Sequence, residues 1–211
     1  VVYGLTETNA HATNASGMIL YERPSTAGFP TPFLNQIKIV GEDGSELGPN
    51  EIGEVAIKST CNFRCYLKNE EATNEVLDNE GWFRSGDVGI IDEEGFLYIK
   101  DRIKDIVIRG GENIACLEIE AAIYEHPSVR EASVFGVPDE RLGEKLATRI
   151  SLNPGAELTE ADLSSFLAEK IAKFKIPEYT WFQAEELPKV AAGKIAKKQM
   201  REEAINELGL N

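Results

Sequence analysis

Histidine, methionine, tryptophan and cysteine are scarce in this 211-residue sequence, with two His, two Met, two Trp and three Cys. Three cysteines, Cys61, Cys65 and Cys116, cannot complete a disulfide framework, and the odd number fits free thiols in a reducing compartment. Cys61 and Cys65 are spaced to begin a metal site, yet no second Cys/His pair follows, and His11 and His126 lie far away in sequence. No apolar run approaches the roughly 20 residues that cross a bilayer. No basic start, apolar core and small-residue cleavage site marks a secreted precursor, so the cytoplasm is the expected location. Basic charge is short as well: 22 Lys and Arg face 36 Asp and Glu, for a net charge of −14. That balance argues against a nucleic-acid backbone as partner.

What is present suits a folded protein. Hydrophobic residues make up 42% of the chain, enough for two modest domains with their own cores. The charge is uneven: residues 1–101 hold 7 basic and 17 acidic side chains, whereas 170–201 hold 8 basic and 3 acidic, a local 8 − 3 = +5. Such a patch either steers a polyanionic small molecule or is a solvated basic face.

The pattern changes near 100–105. Before it come strands and turns: Gln36 to Val40, Gly53 to Ser59 and Asp87 to Ile91 read as strands, and Asp92-Glu93-Glu94-Gly95 closes a hairpin onto Phe96 to Lys100. After it, Leu117 to Glu125 reads as a helix stopping before Pro127, with Val129 to Val137 and Lys145 to Leu152 as strands. Thr159 caps a helix with Asp162 three positions on, and Leu163, Phe166, Leu167 and Ile171 share its core face. A last helix over Lys197 to Leu208 ends at Gly209. The expected class is mixed α/β (α+β): a β-rich part over 1–101, a connector over 102–105, and a small mixed domain over 106–211.

Six stretches then fall in order: Tyr3-Gly4-Leu5-Thr6-Glu7, Gly53-Glu54-Val55, Trp82-Phe83-Arg84-Ser85-Gly86-Asp87, Asp101-Arg102-Ile103-Lys104-Asp105, Gly110-Gly111-Glu112-Asn113 with Glu118-Ile119-Glu120, and Pro188-Lys189 to Gly193-Lys194. Together they resemble the adenylate-forming superfamily of acyl-CoA synthetases, peptide-synthetase adenylation domains and luciferases, and among these the fatty-acid–CoA ligases most. The resemblance spans nearly the whole chain.

It implies a role for each stretch. Adenylation joins two anions, so cations and donors must gather where charge develops. By resemblance, Glu7 ligates the magnesium of ATP, Thr6 offers its hydroxyl to the phosphates, Tyr3 with Gly4 faces the adenine, Asp87 accepts the two ribose hydroxyls, and Arg102 meets the ribose or a phosphate. Lys194 bridges the carboxylate and the α-phosphate. Lys104 is the hinge about which the C-terminal domain turns between adenylation and thioester formation. Gly110, Gly111 and Glu112 would border the pantetheine tunnel of coenzyme A, while Phe174 and Lys175 would contact its nucleotide end. Departures touch the coenzyme A side: Ala115 and Cys116 stand where tyrosine and proline often do, and Ile176 where some relatives carry arginine.

Read without the resemblance, Tyr3 is a half-buried strand aromatic, Glu7 a helix-start carboxylate, Asp87 a turn former, Arg102 a linker arginine, Gly110-Gly111 a turn between strand and helix, and Phe174 a core anchor. Asn9, Ala10 and His11 either line the acyl pocket or form an ordinary loop. The Ser/Thr- and Gly-rich phosphate loop that the family carries upstream is not in this sequence, so the expectation is the C-terminal part of a longer enzyme, inactive by itself. The expected function is AMP-forming ligation of a fatty or similarly hydrophobic acid to coenzyme A, with ATP/AMP, magnesium and coenzyme A as cofactors and small-molecule acids as partners. An adenylation domain loading a carrier protein, and a non-catalytic nucleotide- or CoA-binding remnant, are the alternatives. A homodimer is compatible with the composition.

Overall fold

The computed structural model describes residues 1–210 and divides into two compact units, Val1–Ile103 and Lys104 onward. Sheets dominate both, with few helices, an α+β arrangement.

The first unit has three short strands, β1 (Val2–Tyr3), β2 (Thr13–Asn14) and β3 (Phe29–Pro30), and a four-stranded antiparallel meander. The meander runs β4 (Asn35–Val40), β5 (Gly53–Ser59), β6 (Trp82–Ile91) and β7 (Leu97–Arg102). Alternation turns Ile39, Val55, Ile57 and Leu97 to one face, where they close on Ala12, Ala27, Tyr3 and Leu5. Leu97 joins the two sheets, taking the amide of Ala27 at 2.8 Å and giving its own to Gly28 O at 3.0 Å. Two short helices decorate this unit, α1 (Met18–Glu22) and α2 (Glu70–Val76), the latter capped by the Asn69 side chain on the Ala72 amide.

The second unit wraps helices around both faces of one sheet. Strands β8 (Ile106–Arg109) and β9 (Glu112–Ala115) form a hairpin, β10 (Val129–Asp139) and β11 (Gly143–Leu152) a longer one, and β12 (Tyr179–Gln183) joins β11 in parallel. Period-two alternation splits the central strands. Val134, Leu146 and Ile150 face Ile119 and Ile123 of α3 (Cys116–Tyr124) and Leu163 and Leu167 of α4 (Glu160–Ala168). Phe135, Val137 and Ala147 face Met200 and Ala204 of α5 (Lys197–Leu208). Both faces being covered explains the near-continuous apolar run Ala132–Val137. The α4 cap is as expected, with Thr159 Oγ1 accepting the Asp162 amide at 3.2 Å.

Three local readings change. Gly110 and Gly111 join two strands, not strand and helix. Their φ angles of +61° and +89° are those of a two-residue hairpin turn, which glycine adopts without Cβ strain. Asp87 lies inside β6, which begins at Trp82 rather than at Asp87 itself, and the pairing with β5 shifts between Glu54 and Ala56 and makes a bulge there. Phe174 is 43% exposed in a 3₁₀ turn over Lys173–Lys175 and anchors no core. No helix among the described residues is long and apolar enough to cross a membrane.

Candidate active site

Asp87 is one of two buried aspartates of the first unit. Its side chain is only 10% exposed, yet both oxygens are engaged: Oδ2 accepts the Tyr3 hydroxyl at 2.8 Å, and Oδ1 accepts Arg102 Nε at 3.0 Å. Burial first, then the Asp87 charge, hold the Tyr3 phenol well above the usual tyrosine range, so Tyr3 is a fixed donor. The bulge aims this group. Glu54 Oε1 accepts the Gly86 amide at 2.9 Å while Oε2 accepts Arg84 Nε at 2.6 Å, and Ser85 Oγ takes the Asp87 amide at 3.1 Å while donating to Val55 O at 2.7 Å. The Gly-Glu-Val and Trp-Phe-Arg-Ser-Gly-Asp stretches are thus one hydrogen-bonded scaffold, which explains why both appear in the sequence together. Arg102 pairs with Asp87 across β6 and β7 and ends β7.

Glu7 sits in a single 3₁₀ turn, Thr6–Thr8, whose neighbours are unusual. Asn9 and Ala10 both take positive φ, at 55° and 58°, costly backbone that tends to collect at functional sites. A Cβ on Gly4 would stand 2.5 Å from the Ala10 carbonyl carbon, so only glycine lets the two limbs of this loop touch. Tyr66 donates its hydroxyl to Glu7 Oε1 at 2.8 Å, and the Phe63 amide donates to Glu7 O at 2.6 Å. Burial, then the Glu7 contact, push the Tyr66 phenol up to about 12. Tyr66 packs tilted against Phe63 at 4.7 Å, and Phe63 meets Phe83 edge-on at 5.6 Å. Sequence reading missed Tyr66, which sits in no chemically distinctive run and whose partner lies 59 residues away; Glu54 stands in the Gly53-Glu54-Val55 stretch, but the role of its side chain depends on Gly86, 32 residues on. Thr6 is exposed beside Glu7.

Does this set suit magnesium carried by a nucleotide? No group of three or more His, Cys, Asp or Glu among the described residues could hold a metal alone. Magnesium delivered by phosphates asks for only one or two carboxylates and keeps its waters, and half-buried Glu7, with one oxygen tied to Tyr66, fits that demand.

In the second unit, Lys194 tops a closed loop. The Val190 amide reaches Lys194 O and the Gly193 amide reaches Val190 O, both at 2.8 Å. The local +5 of residues 170–201 does not survive folding as a steering field. Lys170 pairs with Glu125, Lys175 with Glu118, Lys189 with Glu131 and Glu186, Lys197 with Glu120, Lys198 with Glu202 and Arg201 with Glu144. Among the described residues, Lys173 and Lys194 alone of those eight cations have no carboxylate at ion-pair distance, and Lys194 is exposed. Lys175 Nζ lies 2.7 Å from both Glu118 oxygens, so any phosphate must compete with that carboxylate. Lys104 is exposed in the 3₁₀ turn Ile103–Asp105, where the two units meet in sequence; Glu112 is exposed beside the Gly110-Gly111 turn.

Sequence comparison matches residues 1–67 to the family described as AMP-binding enzyme and residues 118–194 to the AMP-binding enzyme C-terminal domain. The chain belongs to the adenylate-forming superfamily. It is 38% identical over 200 residues to a 2-succinylbenzoate–CoA ligase of Bacillus cereus, matching 95% of this chain and 40% of that protein. A long-chain-fatty-acid–CoA ligase of Mycobacterium tuberculosis is 40% identical over 201 residues, again 95% of this chain and 39% of the relative. Among solved structures, o-succinylbenzoate CoA synthetase of Bacillus subtilis with its acyl-adenylate intermediate superposes with a TM-score of 0.88 at 34% identity, covering 95% of this chain and 40% of that one. That enzyme has also been solved with ATP and a magnesium ion. The chain therefore spans about two fifths of the length of the relatives it matches.

Proposed function

We propose that these two units serve an AMP-forming carboxylate–CoA ligase acting on a fatty or similarly hydrophobic acid, alongside the part of such an enzyme that this chain does not span. The observation that carries the reading is the pairing of a preorganised Tyr3–Asp87–Arg102 cluster with an exposed, carboxylate-free Lys194 in the order the family requires. The relative named for a long-chain fatty acid supports an apolar aliphatic acid, whereas the one named for 2-succinylbenzoate, a keto dicarboxylate, supports an aryl acid.

In the first step a carboxylate oxygen attacks the α-phosphorus of ATP, the bond to the bridging oxygen breaks, and pyrophosphate leaves. Asp87 keeps acceptor capacity on both oxygens and takes the ribose hydroxyls, with Arg102 beside it. Tyr3 borders the adenine over Gly4, and Thr6 donates to a phosphate. Magnesium held at Glu7 would offset phosphate charge. Lys194 contributes an ammonium where charge builds between acid and phosphate. In the second step the thiol sulfur of coenzyme A attacks the acyl carbon, its proton is lost, and AMP departs. Lys104 is the pivot between the steps, and Gly110, Gly111, Glu112, Phe174 and Lys175 border the coenzyme A path.

The test is acid-dependent AMP and acyl-CoA formation by the complete ligase with ATP, magnesium and coenzyme A, across short, long and aromatic acids, beside Lys194→Ala. Thioester from the parent and loss mainly at adenylation in the variant are expected. Adenylate without thioester would point to loading of a carrier protein. The 211 residues expressed alone should release no AMP under the same conditions.

A further inference from the structure

Each stem of the Lys194 loop ends on a mostly buried carboxylate from the body of its unit. On the entering side, Glu131 of β10 accepts the Leu187 amide on Oε2 at 2.8 Å and meets Lys189 Nζ with Oε1 at 2.8 Å. On the leaving side, Glu120 of α3 takes Lys197 Nζ at 2.9 Å on the same oxygen that accepts the Val134 amide at 2.8 Å. Between the stems the backbone closes on itself, with the Ala196 amide on Pro188 O at 2.7 Å and Lys189 bridged to Ile195. Leu187 and Ala196 are buried, so the stems are pinned in the core while Lys194 stands in solvent.

Lys197 is an expensive choice for its place. It opens α5, where the helix dipole disfavours a cation, and burial works against its ammonium; the Glu120 carboxylate, with smaller contributions from Cys116 and Asp105, outweighs burial and the net shift is upward. A methionine would fill the same space without desolvating two charges, since buried ion pairs add little net stability. What the pair supplies and methionine would not is direction, because a charge-assisted hydrogen bond fixes the first residue of α5 against α3. Three positions from Lys197 lies Lys194, so that direction is passed to the loop.

We propose that Glu120, acting through Lys197, and Glu131, acting through Lys189, are positioning residues that set where the Lys194 ammonium is delivered. This rests on the adenylation role assigned to Lys194 above. It also gives a use to Glu120 in the Glu118-Ile119-Glu120 stretch, which the active-site assignment leaves idle.

The test uses the complete ligase and the adenylation half-reaction, read as acid-dependent pyrophosphate exchange. Glu120→Gln and Lys197→Met should each lower kcat by roughly tenfold or more, the scale on which misplacing a catalytic group acts, with the KM for ATP little changed. Lys197→Arg should recover most of the rate. Repeated in a Lys194→Ala background, the same changes should cost nothing further, because the group they aim is gone. Glu131→Gln should follow the same pattern. Equal losses in both backgrounds, as a general loss of folded enzyme would give, or an unchanged rate, would overturn the positioning role. A wild-type ligase without acid-dependent exchange would overturn the adenylation reading, and the proposal with it.

Discussion

At the scale of single residues, a hydrogen-bond donor outside the recognisable motifs can hold a carboxylate that lies within one. Tyr66 is the sharpest case, since its hydroxyl is one of the few groups on Glu7. Tyr66→Phe removes one hydrogen bond to a charged group at a partly exposed site, about 1 kcal/mol. We expect a roughly fivefold slower adenylation and a higher magnesium requirement in a rate titration; an unchanged magnesium dependence would remove Tyr66 from the site. Glu131 gives a pH signature. Its hydrogen bond with Lys189 holds its carboxyl below the ordinary glutamate range, against the opposing effect of burial. A lowered folded-state value means stability present above the unfolded carboxylate value and lost as pH falls through the folded one. Glu131→Gln should therefore flatten the acid limb of the unfolding curve below the ordinary glutamate value and leave the neutral plateau unchanged in slope, as followed by circular dichroism.

At the scale of elements, the legible parts were those with local causes. The Thr159 cap, the Asp92 to Gly95 hairpin and the Gly209 stop each rest on residues within one turn of each other, and they stand where the sequence puts them. Helix α2 and strand β12 escaped for physical reasons. Only Thr73 of α2 is buried, so its sequence carries no apolar stripe; β12 is half-buried throughout, so it carries no alternation. The candidate site divides in the same way. Asp87, Arg102 and Lys194 are readable as types in motifs, whereas the bulge that aims Asp87 depends on Tyr3 and Glu54, 84 and 33 positions away in number, and on a register shift no local pattern announces. The Gly110-Gly111 turn offers a clean test at this scale. A Cβ on Gly111 meets nothing within 4 Å, so Gly111→Ala isolates the backbone cost of positive φ. We expect about 1–2 kcal/mol lower stability of the second unit in urea unfolding, with no change in the slope. A neutral result would mean that the hairpin relaxes to another turn.

At the scale of the whole molecule, the two units differ in how self-contained they are. The second surrounds its sheet with helices and buries Ile150, Leu146 and Met200 completely. The first leaves Met18, Tyr21, Phe33 and Leu67 largely exposed, with Phe33 fully so. Separate cores predict separable unfolding: Ile150→Ala should cost about 2–5 kcal/mol and move one calorimetric transition, while Ile57→Ala should move the other. A single transition displaced by both would show that the units unfold as one body.

Strand β7 ends on Arg102, the residue whose guanidinium holds Asp87, and the boundary between the units follows directly at Ile103 and Lys104. The backbone thus leaves the first unit from within the cluster itself. A ligand that takes the Asp87 carboxylate would therefore share it with the side chain of the last strand residue before the connector.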